Sequence, residues 1–147
     1  MEKPPFLFKT SVEWTGEKDG RTGSPGKPEV VCTCPPPFCE NGRTDLWSPE
    51  DFFVSSIEMC VMMTFIWFAE RAERTFVSYK STAKGHVDFV DGKAMFTKVE
   101  VFPKITVSEE KLVKKIRLIL KGAVKNCLVS ASCKTEVVVT PEISVEK

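Results

Sequence analysis

From Phe52 to Ala69 the chain is apolar on nearly every side of the helix it must form. "SPED", Ser48 to Asp51, opens that helix. Ser48 suits the N-cap, Pro49 the first helical position, and Asp51 three residues on completes a capping-box pattern. The helix is expected to run to about Arg74, with its charged end, "ERAER", reaching solvent. A helix apolar around its circumference has to be covered on every side. A bilayer is a poor cover here, because Ser55, Ser56, Glu58 and Thr64 interrupt the run. A crossing needs roughly 20 mostly apolar residues, and a mid-span carboxylate is costly. The expected cover is protein, so no membrane association is predicted.

The remaining elements supply part of that cover. "FLFKTSVEW" (6–14) carries strand-type residues, "GEKDGRTGSPGKPE" reads as a turn-rich loop, and "VVCTC" as a short strand. "PPPFCENGRTD" is irregular, broken by prolines and Asn-Gly. From Phe76 to Val107 two long strands flank Asp91-Gly92, a strong short-range hairpin signal. A second helix follows, with Ser108 as cap and Glu109 and Glu110 in its first turn. Leu112, Ile116, Ile119, Leu120, Ala123 and Cys127 form its apolar stripe, with lysines mainly opposite. "KTEVVVTPEISVEK" is a closing strand broken at Pro141. The reading is α+β, two helices with antiparallel strands, in a single domain over 1–147, with no internal repeat.

At 147 residues, 42% apolar and 28% charged, the chain is long enough for a real core and has the composition of a folded protein. Its net charge of +1 is spread without basic blocks, and no Arg–aromatic arrangement suggests nucleic acid. The N-terminus lacks an apolar signal core, so a cytoplasmic protein is expected. The six cysteines therefore read as thiols rather than a disulfide framework. Trp14, Trp47 and Trp67 are expected as core or interface aromatics. His86 is expected at the surface or satisfied in the core, and Glu58 as a partly buried carboxylate paired with a lysine or arginine.

Cys60, midway along the first helix, and Cys127, at the end of the second, can meet if the helices pack. By spacing alone both read as small core residues, a common fate of free cysteine. Cys32, Cys34 and Cys39 form a separate cluster, "CTCPPPFC". Three thiols fall short of the four ligands of a closed zinc site, and C-x-x-C spacing is absent. Cys133, His86 or a thiol of a second copy could complete such a site only through tertiary proximity. The alternatives for the cluster are incidental loop thiols or a secondary resolving or redox-sensing thiol.

Gly20-Arg21 in a glycine-rich stretch, Ser48-Pro49-Glu50 opening an apolar helix, Cys60 ten residues on, and "CLVS" (127–130) closing the second helix together resemble the OsmC/Ohr family. These are the osmotically inducible protein C and organic hydroperoxide resistance proteins. The resemblance runs from about Trp14 to Glu142, and the "CTCPPPFC" triplet lies outside the family's pattern. It implies an intertwined homodimer in which two long central helices are wrapped by antiparallel sheets. It also implies thiol-dependent reduction of organic hydroperoxides in oxidative-stress defence, with Cys60 peroxidatic, Cys127 resolving, and Arg21 and Glu50 supporting the reactive thiol. No metal or cofactor is implied; an external dithiol would close the cycle.

That chemistry makes demands on its residues. A thiolate attacks the O–O bond, and apolar neighbours such as Met59, Val61, Met62 and Met63 push a thiol toward its neutral form. A guanidinium would restore the anion, with Arg21 as the candidate and Glu50 clamping it. Ten helical residues rise about 15 Å, so Glu50 and Cys60 of one straight helix cannot share a small site. The expectation is an active site at a subunit interface, with Arg21 and Glu50 supplied by the other chain. Phe52, Phe53, Met62, Met63 and Phe65 are the candidate apolar lining. Two other functions compete: a non-catalytic OsmC-like protein binding a hydrophobic small molecule, and a thiol or metal sensor built on Cys32, Cys34 and Cys39.

Overall fold

A computed structural model describes residues 3–147, which form two compact units divided between Phe52 and Phe53. In the first, β1 (Ser11–Gly16), β2 (Asp19–Gly23) and β3 (Val30–Thr33) make an antiparallel sheet in the order β1-β2-β3. β2 occupies sequence expected to be loop. Gly16 (φ 124) and Glu17 (φ 47) turn the chain tightly enough for Arg21 to pair opposite Glu13. Local glycine content conceals a strand whose neighbours, rather than its own propensity, hold it. Beyond β3, Cys34 and Cys39 are joined in a disulfide with Cα atoms 5.9 Å apart, across a turn in which the Phe38 and Cys39 amides donate to Pro35 O. The expectation of free thiols fails at these two positions. The proline turn brings two residues that are distant in an extended chain to bridging range.

Helix α1 (Pro49–Arg71) begins with the anticipated cap. The Asp51 amide donates to Ser48 Oγ at 3.1 Å, and the Ser48 amide donates back to Asp51 Oδ2 at 2.9 Å. The two donors satisfied are among those a helix start otherwise leaves without partners.

In the second unit, Ile57, Val61, Phe65 and Ala69 of α1 recur every four residues and are buried. Burying each of the larger three contributes about 1.5–3 kcal/mol. They pack on β5 (Lys93–Val107), whose Val99, Val101, Pro103, Ile105 and Val107 alternate inward. β4 (Ser78–Val90) pairs with β5 through a two-residue turn in which Asp91 (φ 50) and Gly92 (φ 75) both take positive φ, as a primed hairpin turn requires. Helix α2 (Glu110–Lys125) follows and buries Leu112, Ile116, Leu120 and Ala123, while Ile119 is half-buried. Its N-cap is Glu109, without a side-chain cap bond, rather than Ser108.

A four-residue helix, α3 (Leu128–Ala131), leads to β6 (Glu136–Val139) and β7 (Glu142–Val145). Both run parallel to β5, so the sheet is mixed rather than antiparallel. The reason is the intervening helix: α2 carries the chain back along the sheet before the next strand starts. The Thr140 amide donates to Val101 O at 2.9 Å and the Glu146 amide to Val107 O at 2.8 Å. By alternation Pro103, which has no N–H, faces the gap between β6 and β7 that Pro141 opens. Each proline falls where the ladder has no bond to lose.

Candidate active site

Cys60 projects from the middle of α1, partly exposed, and Cys127 is buried at the junction of α2 and α3. Cys60 packs against the core cluster that contains Cys127, and each sulfur influences the other's ionisation. Ser130 Oγ donates to Cys127 Sγ at 3.1 Å, and Thr64 Oγ1 lies 4.0 Å from Cys60 Sγ. The helices therefore bring together the two thiols that sequence spacing alone left as core filler.

Burial pushes the Cys60 thiol up. The Val129 amide, the Cys127 thiol, Thr64 and the Leu128 amide outweigh it, and the net displacement is downward. Burial also pushes Cys127 up; the Ser130 hydroxyl and amide oppose this, but the neighbouring Cys60 adds to it, leaving Cys127 raised. One proton is thus easier to remove than the other, and the more accessible sulfur is the one that ionises first. Within the unit, the Leu128 and Val129 amides favour the Cys60 anion.

Arg21 and Glu50 are not paired in the chain. Arg21, on β2, reaches Glu13 at 2.8 Å and Glu29 at 3.4 Å. Those bonds, Glu13's first, raise its already high pKa. Glu50 lies in the first turn of α1, and its Oε2 is buried without a hydrogen-bond partner among the described residues.

Of the expected apolar lining, Met63 borders a cavity next to Thr64, the neighbour of Cys60. That cavity, about 550 Å³, is lined by Met63, Thr64, Trp67, Phe68 and Asn126. Phe65 is fully buried, Phe53 stacks on Phe96, and Phe52 on Trp47. Four-residue spacing along the helix places Thr64 and Phe68 on the Cys60 side, a signal present in the sequence. Glu58 accepts from Ser81 Oγ at 2.5 Å and has no cation in ion-pair range among the described residues, against expectation. His86 is at the surface, 2.6 Å from Glu100. Trp14, Trp47 and Trp67 are all about half exposed or more, so none is a core residue. The Cys34–Cys39 bridge removes two of the three thiolates that a zinc site on the triplet would need. Among the described residues no group of three His, Cys, Asp or Glu side chains is placed to share a metal ion.

The family model for OsmC-like protein matches residues 42–142. This chain belongs to the OsmC-like protein family. Among solved structures, the OsmC-like chain is similar to an OsmC-like protein of unknown function from Vibrio cholerae, with 20% identity and a TM-score of 0.83 over 93% of this chain and 99% of that one. An OsmC-like protein from Mycoplasma pneumoniae shows 10% identity and a TM-score of 0.79, covering 96% and 99% of the two chains. An organic hydroperoxide resistance protein from Elizabethkingia anophelis shows 18% identity and a TM-score of 0.73, covering 97% and 100%. At these identities the likeness establishes the OsmC-like fold. Among curated proteins, none matches the sequence at a significant level.

Proposed function

We propose that this OsmC-like protein is a cysteine-based peroxidase that reduces organic hydroperoxides with electrons from an external dithiol. The observation that carries the reading is the placement of partly exposed Cys60 against the buried cluster that contains Cys127, with Cys60 shifted toward its anion and Cys127 away from it. In the cycle, Cys60 thiolate attacks the distal oxygen of ROOH and the O–O bond breaks. The alkoxide takes a proton to leave as alcohol, and Cys60 becomes a sulfenic acid. Cys127 displaces water from that sulfenic acid to give the Cys60–Cys127 disulfide. A dithiol then exchanges with the disulfide, leaving both thiols reduced and itself oxidised. No metal or organic cofactor enters the cycle. Met63, Trp67 and Phe68 at the neighbouring cavity suit an organic rather than an inorganic peroxide.

The working unit is a cytoplasmic homodimer. Met59, Met63 and Trp67 form an exposed row on α1 at four-residue spacing, an apolar strip that a second copy would cover. Arg21 and Glu50 of the other chain complete the site. Glu50's unpartnered buried oxygen is an acceptor suited to a guanidinium, and Arg21 is partly exposed on its strand.

Peroxide consumption with a dithiol reductant tests the reading. Wild type should turn over an alkyl hydroperoxide and Cys60→Ser should fall to the uncatalysed rate. Cys127→Ser should undergo a single turnover and accumulate a sulfenic acid that dimedone traps. A Cys60→Ser variant as active as wild type, or thiols unaltered by one equivalent of peroxide, would remove the peroxidase.

A further inference from the structure

A second cavity, about 420 Å³, lies between α2 and the end of β6. Its apolar floor is Leu120, Val124, Val139 and Pro141. This floor exists because the strand ladder is interrupted between Val139 and Glu142, where Pro141 leaves a shallow break against the helix. Every other lining residue is a cation: Arg117, Lys121 and Lys125, with no acid among them. The three stand at four-residue intervals along α2, one above another over about 12 Å of helix.

None of the three takes part in an ion pair among the described residues. The acid nearest in sequence to the floor, Glu142, is paired with Lys104 at 3.7 Å. Like charges four residues apart on a helix repel one another. An anion placed among them relieves that repulsion, and an apolar group on the floor removes greasy surface from water. The size falls within the range of small-molecule sites.

We infer that this cavity binds an amphipathic organic anion, an alkyl chain ending in a carboxylate. The chain lies on Leu120, Val124, Val139 and Pro141, and the head sits among Arg117, Lys121 and Lys125. A sugar phosphate would leave the floor uncovered, and a neutral hydrophobe would leave the cations unanswered. The site shares no lining residue with the cavity beside Cys60, so it stands apart from the peroxidase reading.

Decanoate below its micelle concentration is the probe, titrated into the full chain and followed by amide and methyl NMR. Saturable shifts are expected at Leu120, Val124 and Val139, and decanol and decyltrimethylammonium should produce weaker ones. Lys121→Gln and Lys125→Gln should each weaken binding about two- to fivefold, as for single exposed charge pairs, and the double variant about tenfold. Added salt should weaken it further. Cys60→Ser should bind as wild type does. The site is overturned by the absence of saturable shifts at those three residues, by undiminished binding in the folded double variant, by equal binding of the cationic analogue, or by loss of binding in Cys60→Ser.

Discussion

Cys60 is subject to two opposed influences, and their balance decides its chemistry. Burial favours the neutral thiol, while two backbone amides, Thr64 and the Cys127 thiol favour the anion and together prevail. Because the folded value lies below the ordinary one, the ionised sulfur adds stability that is fully present above the ordinary thiol range. That stability is lost as pH falls through the folded value. The rate of Cys60 alkylation against pH should accordingly have its midpoint below about 8.5, the value of an unperturbed cysteine. Thr64→Val should move that midpoint upward. A midpoint at or above the unperturbed value would show that the amides do not act as described. Two helices of suitable length allow Cys60 and Cys127 to meet if they pack, and the family resemblance implies the roles proposed for them. The amides could not be anticipated, because main-chain donors leave no mark in residue types. The Cys34–Cys39 bridge is not legible for another reason: this spacing reaches bridging range only through the tight turn at Pro35.

Among the elements, those with a chemical signature were legible. The Ser48–Asp51 cap, the Asp91-Gly92 hairpin and the break at Pro141 all rest on residues whose geometry is nearly obligatory. Strand direction was not, since β6 and β7 look alike whether parallel or antiparallel to β5. β2 escaped because its glycines resemble a loop. One of the strand glycines is a tight fit. A Cβ at Gly85 would stand 2.5 Å from Val54 Cγ2 and 2.6 Å from Phe96 Cε1, so β4 can cross α1 there only without a side chain. Gly85→Ala should cost about 1–3 kcal/mol by overpacking, measured as a lowered denaturation midpoint, and Val54→Ala in the same chain should return part of it. Equal stability of Gly85→Ala and wild type would refute the close approach.

At the scale of the whole molecule the first helix remains the governing feature. One face is dry against the sheet, while Met59, Met63 and Trp67 on another are 52%, 53% and 50% exposed. By length and apolarity this helix could also cross a membrane; a second copy is the cover proposed for that face. Sedimentation of the wild type should give twice the chain mass. Met63→Glu, which places a charge in the row, should shift the population toward monomer and lower peroxide turnover with it. A wild type that sediments as a monomer at micromolar concentration would leave Arg21 and Glu50 without the role proposed for them.

The short stretch from Cys127 to Ser130 holds the sulfur that would receive the oxidised partner, and it also presents the amides that ionise that partner. In the proposed cycle, attack and resolution would therefore be tied to the same turn of backbone. Fraying there would disarm both proposed half-reactions at once, so losing one while keeping the other by drift in this segment would be hard.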